Sequence, residues 1–169
     1  MIKLTEDKKE KDQKETIELI SQLKSTPNRG IVLAKLNEKR DTEEYLAELL
    51  WHYPGTVAIL LEGIFLVIEI VSVYPHLMQR SLSKEESDQI FAVLGLFQCI
   101  AMNSNTRSHF LKANLPLYFY PLINTQVKHK FYDHLKLSSL GVIGALVKGD
   151  DSNAIKFIMN TEMIVLCLR

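Results

Sequence analysis

Cysteine is scarce in this chain: two among 169 residues, Cys99 and Cys167. Both sit in apolar runs without CxxC spacing, so a disulfide framework is not expected and buried, reduced thiols in an intracellular protein are. There is no net charge either, because 20 Lys and Arg balance 20 Asp and Glu. The seven glycines form no phosphate-binding loop. The five histidines, His52, His76, His109, His129 and His134, lack metal-ligand spacing. A catalytic site needs a nucleophile with a base, or an acid pair, gathered in a cleft, and no such motif occurs. Catalytic, cofactor and metal residues are therefore assigned to none. The leading residues MIKLTEDKKEKDQKE contain no apolar core of a secretory leader and too many acids for a transit peptide.

What the chain does contain is a repeat. Val93–Phe110 and Leu135–Phe157 each open with a Leu-Gly-apolar step (Leu94, Gly95, Leu96; Leu140, Gly141, Val142). Each continues through an apolar run, a polar turn and a short polar helix to Phe110 or Phe157. The spacing is 46 residues from Leu94 to Leu140 and 47 from Phe110 to Phe157. Beyond the Phe, Leu115, Leu117 and Phe119 answer Met163, Val165 and Cys167 with one residue of slippage. A period in the forties with helical patterning throughout points to an all-α solenoid of armadillo or HEAT type, whose units bury their apolar faces only against neighbours.

Residues 1–11 read as a frayed, charged lead-in and 12–169 as the repeat domain. Helices are expected from Asp12 to Leu23, from Asn28 to Arg40 and, capped by Thr42 with Glu43 and Glu44 in its first turn, from Glu43 to His52. Thr56–Tyr74 is the most apolar stretch. Glu62 and Glu69 inside it would each cost roughly 2.5–3.5 kcal/mol near a bilayer centre, so a helix buried in an array, with both acids on its exposed edge, is the expectation. Ser83 and Glu86 form a capping box for a helix reaching Met102. Shorter helices follow at Thr106–Ala113 and after Pro116, then a basic loop at 125–130. A last long helix, Tyr132–Lys148, is expected to end on a left-handed Gly149, with Asp150, Asp151 and Ser152 capping the next. Trp51 and Tyr53 are expected in the core.

The zero net charge is unevenly spread. From Asp41 to Met102 acids predominate over Arg80 and Lys84, whereas from Asn103 to Gly149 Arg107, Lys112, Lys128, Lys130, Lys136 and Lys148 face only Asp133. A second class of function follows from that basic part: Lys128, Lys130, Lys136 and Lys148 as phosphate contacts for single-stranded RNA, with Tyr118, Phe119, Tyr120, Phe131 and Tyr132 as stacking rings. The competing reading is core rings with a solvated basic rim. Gly141 and Gly144 each cost a helix about 0.5–1 kcal/mol relative to Ala, so either a neighbouring helix packs tightly there or a bare strip is kept for a partner peptide.

These residues carry a resemblance. LAELLWHYPGT (46–56), SNTRSHFLKANLPLYFYPLINT (104–125), LKLSSLGVIGALVKGDD (135–151) and TEMIVLCLR (161–169) resemble the Rcd-one family ("required for cell differentiation"), the armadillo-type subunit of the CCR-NOT deadenylase complex. The resemblance implies a non-catalytic adaptor without cofactor or membrane anchor, held to the large scaffold subunit of that complex. It would recruit repressor proteins through short peptide motifs and support mRNA decay and translational repression in the cytoplasm, including P-bodies, and in the nucleus. In that family short peptides dock on the concave face, and the matching positions here include His134 and Gly141, seven residues apart and so on one side of a helix. The resemblance also implies further repeats after Arg169, bearing tryptophan pockets and much of the scaffold-docking surface. It marks Gly63–Ile68 as an insertion, since LLEEIVSVYP without those residues fits the family's helix.

Overall fold

The computed structural model describes residues 2–24, 29–73, 84–126, 128, 130–161 and 163–167; the capping box at Ser83, Glu69's side chain and His129 lie outside the described residues or side chains. The described elements are helical: α1 (Ile2–Gln22), α2 (Arg29–Lys39), α3 (Leu46–His52), α4 (Thr56–Val73), α5 (Lys84–Met102) and α6 (Ser104–Lys112). After a 3₁₀ segment (Leu115–Phe119) come α7 (Tyr120–Ile123), α8 (Lys130–Val147), α9 (Ser152–Asn160) and α10 (Met163–Cys167). Helix α1 starts at Ile2 rather than near Asp12, with Glu10, Lys11, Lys14 and Glu15 exposed along it. No helix among the described residues is long and apolar enough to cross a membrane.

Contacts recur every third helix. α5 packs between α2 and α8, the two most extensive pairings; α3, α6 and α9 form a second series, and α4, α7 and α10 a third. That is the all-α helical-repeat architecture expected from the period, with each unit buried against its neighbours. Both copies of the repeat use one cap. Asn103 accepts from the amides of Asn105 and Thr106, and Asp151 from those of Asn153 and Ala154. These caps are 48 residues apart, so fully buried Phe110 answers buried Ile158 rather than half-buried Phe157, and the slippage disappears: Leu115 and Met163 are buried while Leu117 and Val165 are exposed.

Rings of Phe97, Phe110 and Phe119, all 0% exposed, meet at centroid distances of 5.5–6.3 Å in the middle of the core. Trp51 and Tyr53 pack against that core half-buried, and Trp51 stacks on His109 at 5.9 Å. Helix α4 runs unbroken through Gly63–Ile68. Six extra helical residues turn whatever follows by roughly 240° about the axis. Glu62 is exposed and pairs with Arg29 at 3.1 Å.

Glu43 does not open a helix. Residues 40–45 form turns, Thr42 donates its hydroxyl to the Lys39 carbonyl at 3.1 Å, and α3 begins only at Leu46. Glu43 instead accepts from Thr16 on α1 (2.7 Å) and Lys39 on α2 (2.6 Å), tying three segments together. Gly149 is also not the left-handed residue. Asp150 takes that role at φ 49°, which Asp tolerates, while Gly149 makes room for Arg107 of α6. Arg107 is buried; its Nε donates to the Ala101 carbonyl (3.1 Å), Nη2 donates to that of Met102 (2.5 Å), and Nη1 lies 3.8 Å from Asp151. Together with the Thr106 hydroxyl, which donates to the Ile100 carbonyl (2.6 Å), it satisfies the carbonyls that the end of α5 leaves open.

Candidate functional site: the exposed face of the α2–α5–α8 series

Helix α5 is buried almost all round between Ile90 and Ala101; only Phe91 and Gln98 are partly exposed there. Those two positions, seven apart, define one stripe. On α8 the neighbouring stripe carries His134, Leu137, Gly141 and Gly144, of which Leu137 is 68% exposed. The stripes touch twice. Phe91 meets His134 edge-on with centroids 6.5 Å apart, and a Cβ at Gly141 would sit 3.5 Å from the Gln98 amide nitrogen, an ordinary contact. On the other side of α5, Gly30, Ile31 and Ala34 of α2 border a hollow of about 300 Å³ whose far wall is Glu85, Asp88 and Gln89.

His134 and Gly141 therefore lie on one surface, as their spacing implies, with Leu137 between them. Phe91 and Gln98 complete it. They were not singled out from the sequence, although Gln98 is the one amide in an otherwise apolar run. Of the two readings of the glycines, neither position shows tight packing: Gly141 has slack and Gly144 has nothing within 4 Å of an added Cβ. Tight packing occurs at Gly95, where a Cβ would collide with Asn37 Oδ1 of α2 and lie 3.1 Å from Nη1 of Arg40, just past the end of that helix. An apolar side chain of a docked helix could lie over Gly141 against Leu137, and the Gln98 amide could donate to it or accept from it.

The basic candidates are spread out. Lys130 opens α8, Lys128 precedes it by two residues, and Lys148 lies just past its end, roughly 27 Å from Lys130 at helical rise; Lys136 between them is half-buried. Arg107 is engaged inside the fold. Among the proposed stacking rings, Phe119 and Tyr132 are buried, and Tyr118, Tyr120 and Phe131 pack against the core.

Among the described residues no group of three or more His, Cys, Asp or Glu is placed to hold a metal ion. Burial pushes the Cys99 thiol up to about 11, so it is a protonated, poor nucleophile at neutral pH.

Residues 19–169 match the family described as "Cell differentiation family, Rcd1-like". The chain belongs to this family. Among curated relatives, the Cell differentiation protein rcd1 of Schizosaccharomyces pombe is 45% identical over 152 residues, 90% of this chain and 52% of that protein. Protein CAF40 of Saccharomyces cerevisiae is 39% identical over 150 residues, 89% of this chain and 39% of that protein. The chain thus spans about half or less of the length of these Rcd1-like relatives, and the matched stretch includes all of α2 to α10.

Proposed function

We propose that this Rcd1-like chain is a non-catalytic adaptor of the CCR-NOT deadenylase complex, acting in mRNA deadenylation, decay and translational repression by docking protein partners. Its partners would be the large scaffold subunit and short amphipathic peptide motifs of repressor proteins. The role belongs to the cytoplasm, P-bodies included, and to the nucleus. The observation that carries the docking part is the continuous surface of His134, Leu137 and Gly141 beside Phe91 and Gln98, where a glycine stands without a close-packed neighbour to require it. A helix tolerates the cost of such a glycine where a partner needs the space. Support for the assembly comes from family membership and from the relatives' 39–45% identity over 150–152 residues.

The test is affinity purification of the tagged chain from cells that express it, quantified by mass spectrometry. The scaffold subunit and the deadenylases should be recovered together. Enrichment of another assembly without them would contradict the role.

A further inference from the structure

His52 ends α3 and His109 lies on α6, and the packing of those two helices brings the imidazoles together on an exposed part of the surface. Their ring centroids are 6.3 Å apart, with the planes at 77°. Two contacts hold them there. One turn earlier on each helix, the Asn105 amide donates to the Glu48 carboxylate at 2.6 Å, which fixes the spacing of α3 and α6. The half-buried Trp51 ring, packed against the core, stacks on His109 at 5.9 Å. A stack covers the face of an imidazole and leaves its two nitrogens, which lie on the ring edge, accessible. Among the described residues no hydrogen bond or ion pair engages either imidazole.

We infer that His52 and His109 together bind one divalent transition-metal ion, which joins α3 to α6 across two consecutive units of the repeat. Neutral imidazole is the commonest metal ligand among side chains and suits Cu²⁺, Zn²⁺ and Ni²⁺. With metal–nitrogen bonds of about 2.0–2.1 Å, two imidazoles on one ion have centroids about 5 Å apart. The observed 6.3 Å closes to that distance by rotation of two exposed side chains about their own torsions. Structural zinc sites use four protein ligands and catalytic ones three. This pair supplies two, so water fills the remaining positions and binding is reversible. The Glu48 carboxylate, one turn from His52, adds negative charge near the ion. Cu²⁺ heads the affinity order for such nitrogen sites, whereas Mg²⁺ and Ca²⁺ take oxygen ligands and find none gathered here. Sequence spacing does not reveal the pair, because only the packing of α3 on α6 makes neighbours of the two residues.

Trp51 is the one tryptophan of the chain and lies against His109, so its fluorescence reports on this site. The test is titration of the untagged 169-residue chain with Cu²⁺, whose unpaired electron quenches a neighbouring indole, and with Mg²⁺ in parallel. Saturable quenching is expected below about 100 µM Cu²⁺, reversed by EDTA and absent with Mg²⁺. His52→Gln and His109→Gln should each weaken it at least tenfold while keeping the parent's helical circular dichroism. His129→Gln, which removes an imidazole elsewhere in the sequence, should change it less than twofold. No saturable quenching up to about 100 µM Cu²⁺, or equal quenching by Mg²⁺, would overturn the inference. So would quenching that either His52→Gln or His109→Gln retains, since the ion would then be held by other groups.

Discussion

The guanidinium of Arg107 fills the space that a side chain at residue 149 would need: a Cβ there would lie 2.5 Å from Nη1 and 2.8 Å from Nη2. Arg107 is fixed by the α5 carbonyls it caps and cannot step aside without uncovering them. Gly149→Ala should therefore destabilise the fold by about 1–3 kcal/mol, the usual range for overpacking. Arg107→Ala should cost a similar amount by leaving carbonyls unpaired. The two effects share one cause, so Gly149→Ala should cost well under half as much in the Arg107→Ala background. Urea unfolding of the four proteins in the double-mutant cycle measures this; additive effects would show that the two residues do not interact.

The same substitution should act with opposite sign at two other glycines. At Gly95 a Cβ meets Asn37 Oδ1, a buried oxygen with no hydrogen-bond partner of its own, whereas at Gly144 it enters open space. Gly95→Ala should lower the melting temperature. Gly144→Ala should raise stability by about 0.5–1 kcal/mol through helix propensity. Thermal melts followed by circular dichroism distinguish the cases, and a loss at both positions would mean that Gly144 is packed.

Alkaline stability should follow Tyr45. Burial first, then the charge and hydrogen bond of Glu43, push its phenol up to about 12. A group whose folded pKa is raised contributes stability that is fully present below its unfolded value, near 10, and is lost as pH rises through the folded value. Lys39 acts in the same direction: burial lowers its pKa, but the hydrogen bond and charge of Glu43, aided by Glu15 and Asp12, outweigh this and leave it raised. Stability should therefore fall between about pH 10 and 12, and Tyr45→Phe should flatten the decline without abolishing it. Denaturant midpoints measured across that range provide the check, and an unchanged slope would remove Tyr45 from the account.

The fold was legible in the sequence wherever one residue's chemistry settled the matter locally. Leu94-Gly95 and Leu140-Gly141 announce the period because both copies must present the same apolar face, and Asp151 is a cap whose partners lie two and three residues away. Long-range pairings were not legible. Glu43 looks like a first-turn acid, yet its partners Thr16 and Lys39 come from two other helices. Gly149 looks like a left-handed cap, yet its reason is an arginine 42 residues earlier in the chain (Arg107 to Gly149). In the candidate site, helical spacing places His134 with Gly141, whereas Phe91 and Gln98 join them only through the α5–α8 packing.

RNA binding should be weak. If Lys128, Lys130, Lys136 and Lys148 all touched phosphates, affinity for single strands would fall by about three decades per decade of salt, at about 0.7 per contact. With the lysines spread along α8, a shallower slope and at best micromolar affinity at physiological salt are expected. The Lys128→Glu, Lys130→Glu, Lys136→Glu triple variant should remove that binding and spare peptide docking. Fluorescence anisotropy with a labelled single strand measures both quantities; nanomolar affinity that survives the triple change would make RNA, not protein, the partner.

The most direct measurement is peptide selection against the α5–α8 face. A displayed library of short peptides from the same proteome would be panned against the wild-type chain and against Gly141→Trp, and the selected peptides titrated by anisotropy. A Trp at 141 projects beside Gln98 into the open strip without entering the core, so the variant should keep its helical circular dichroism. The account expects amphipathic peptides that bind the wild type saturably, lose little affinity between low and physiological salt, and lose at least tenfold on Gly141→Trp. Peptides that bind both folded proteins equally would contradict it.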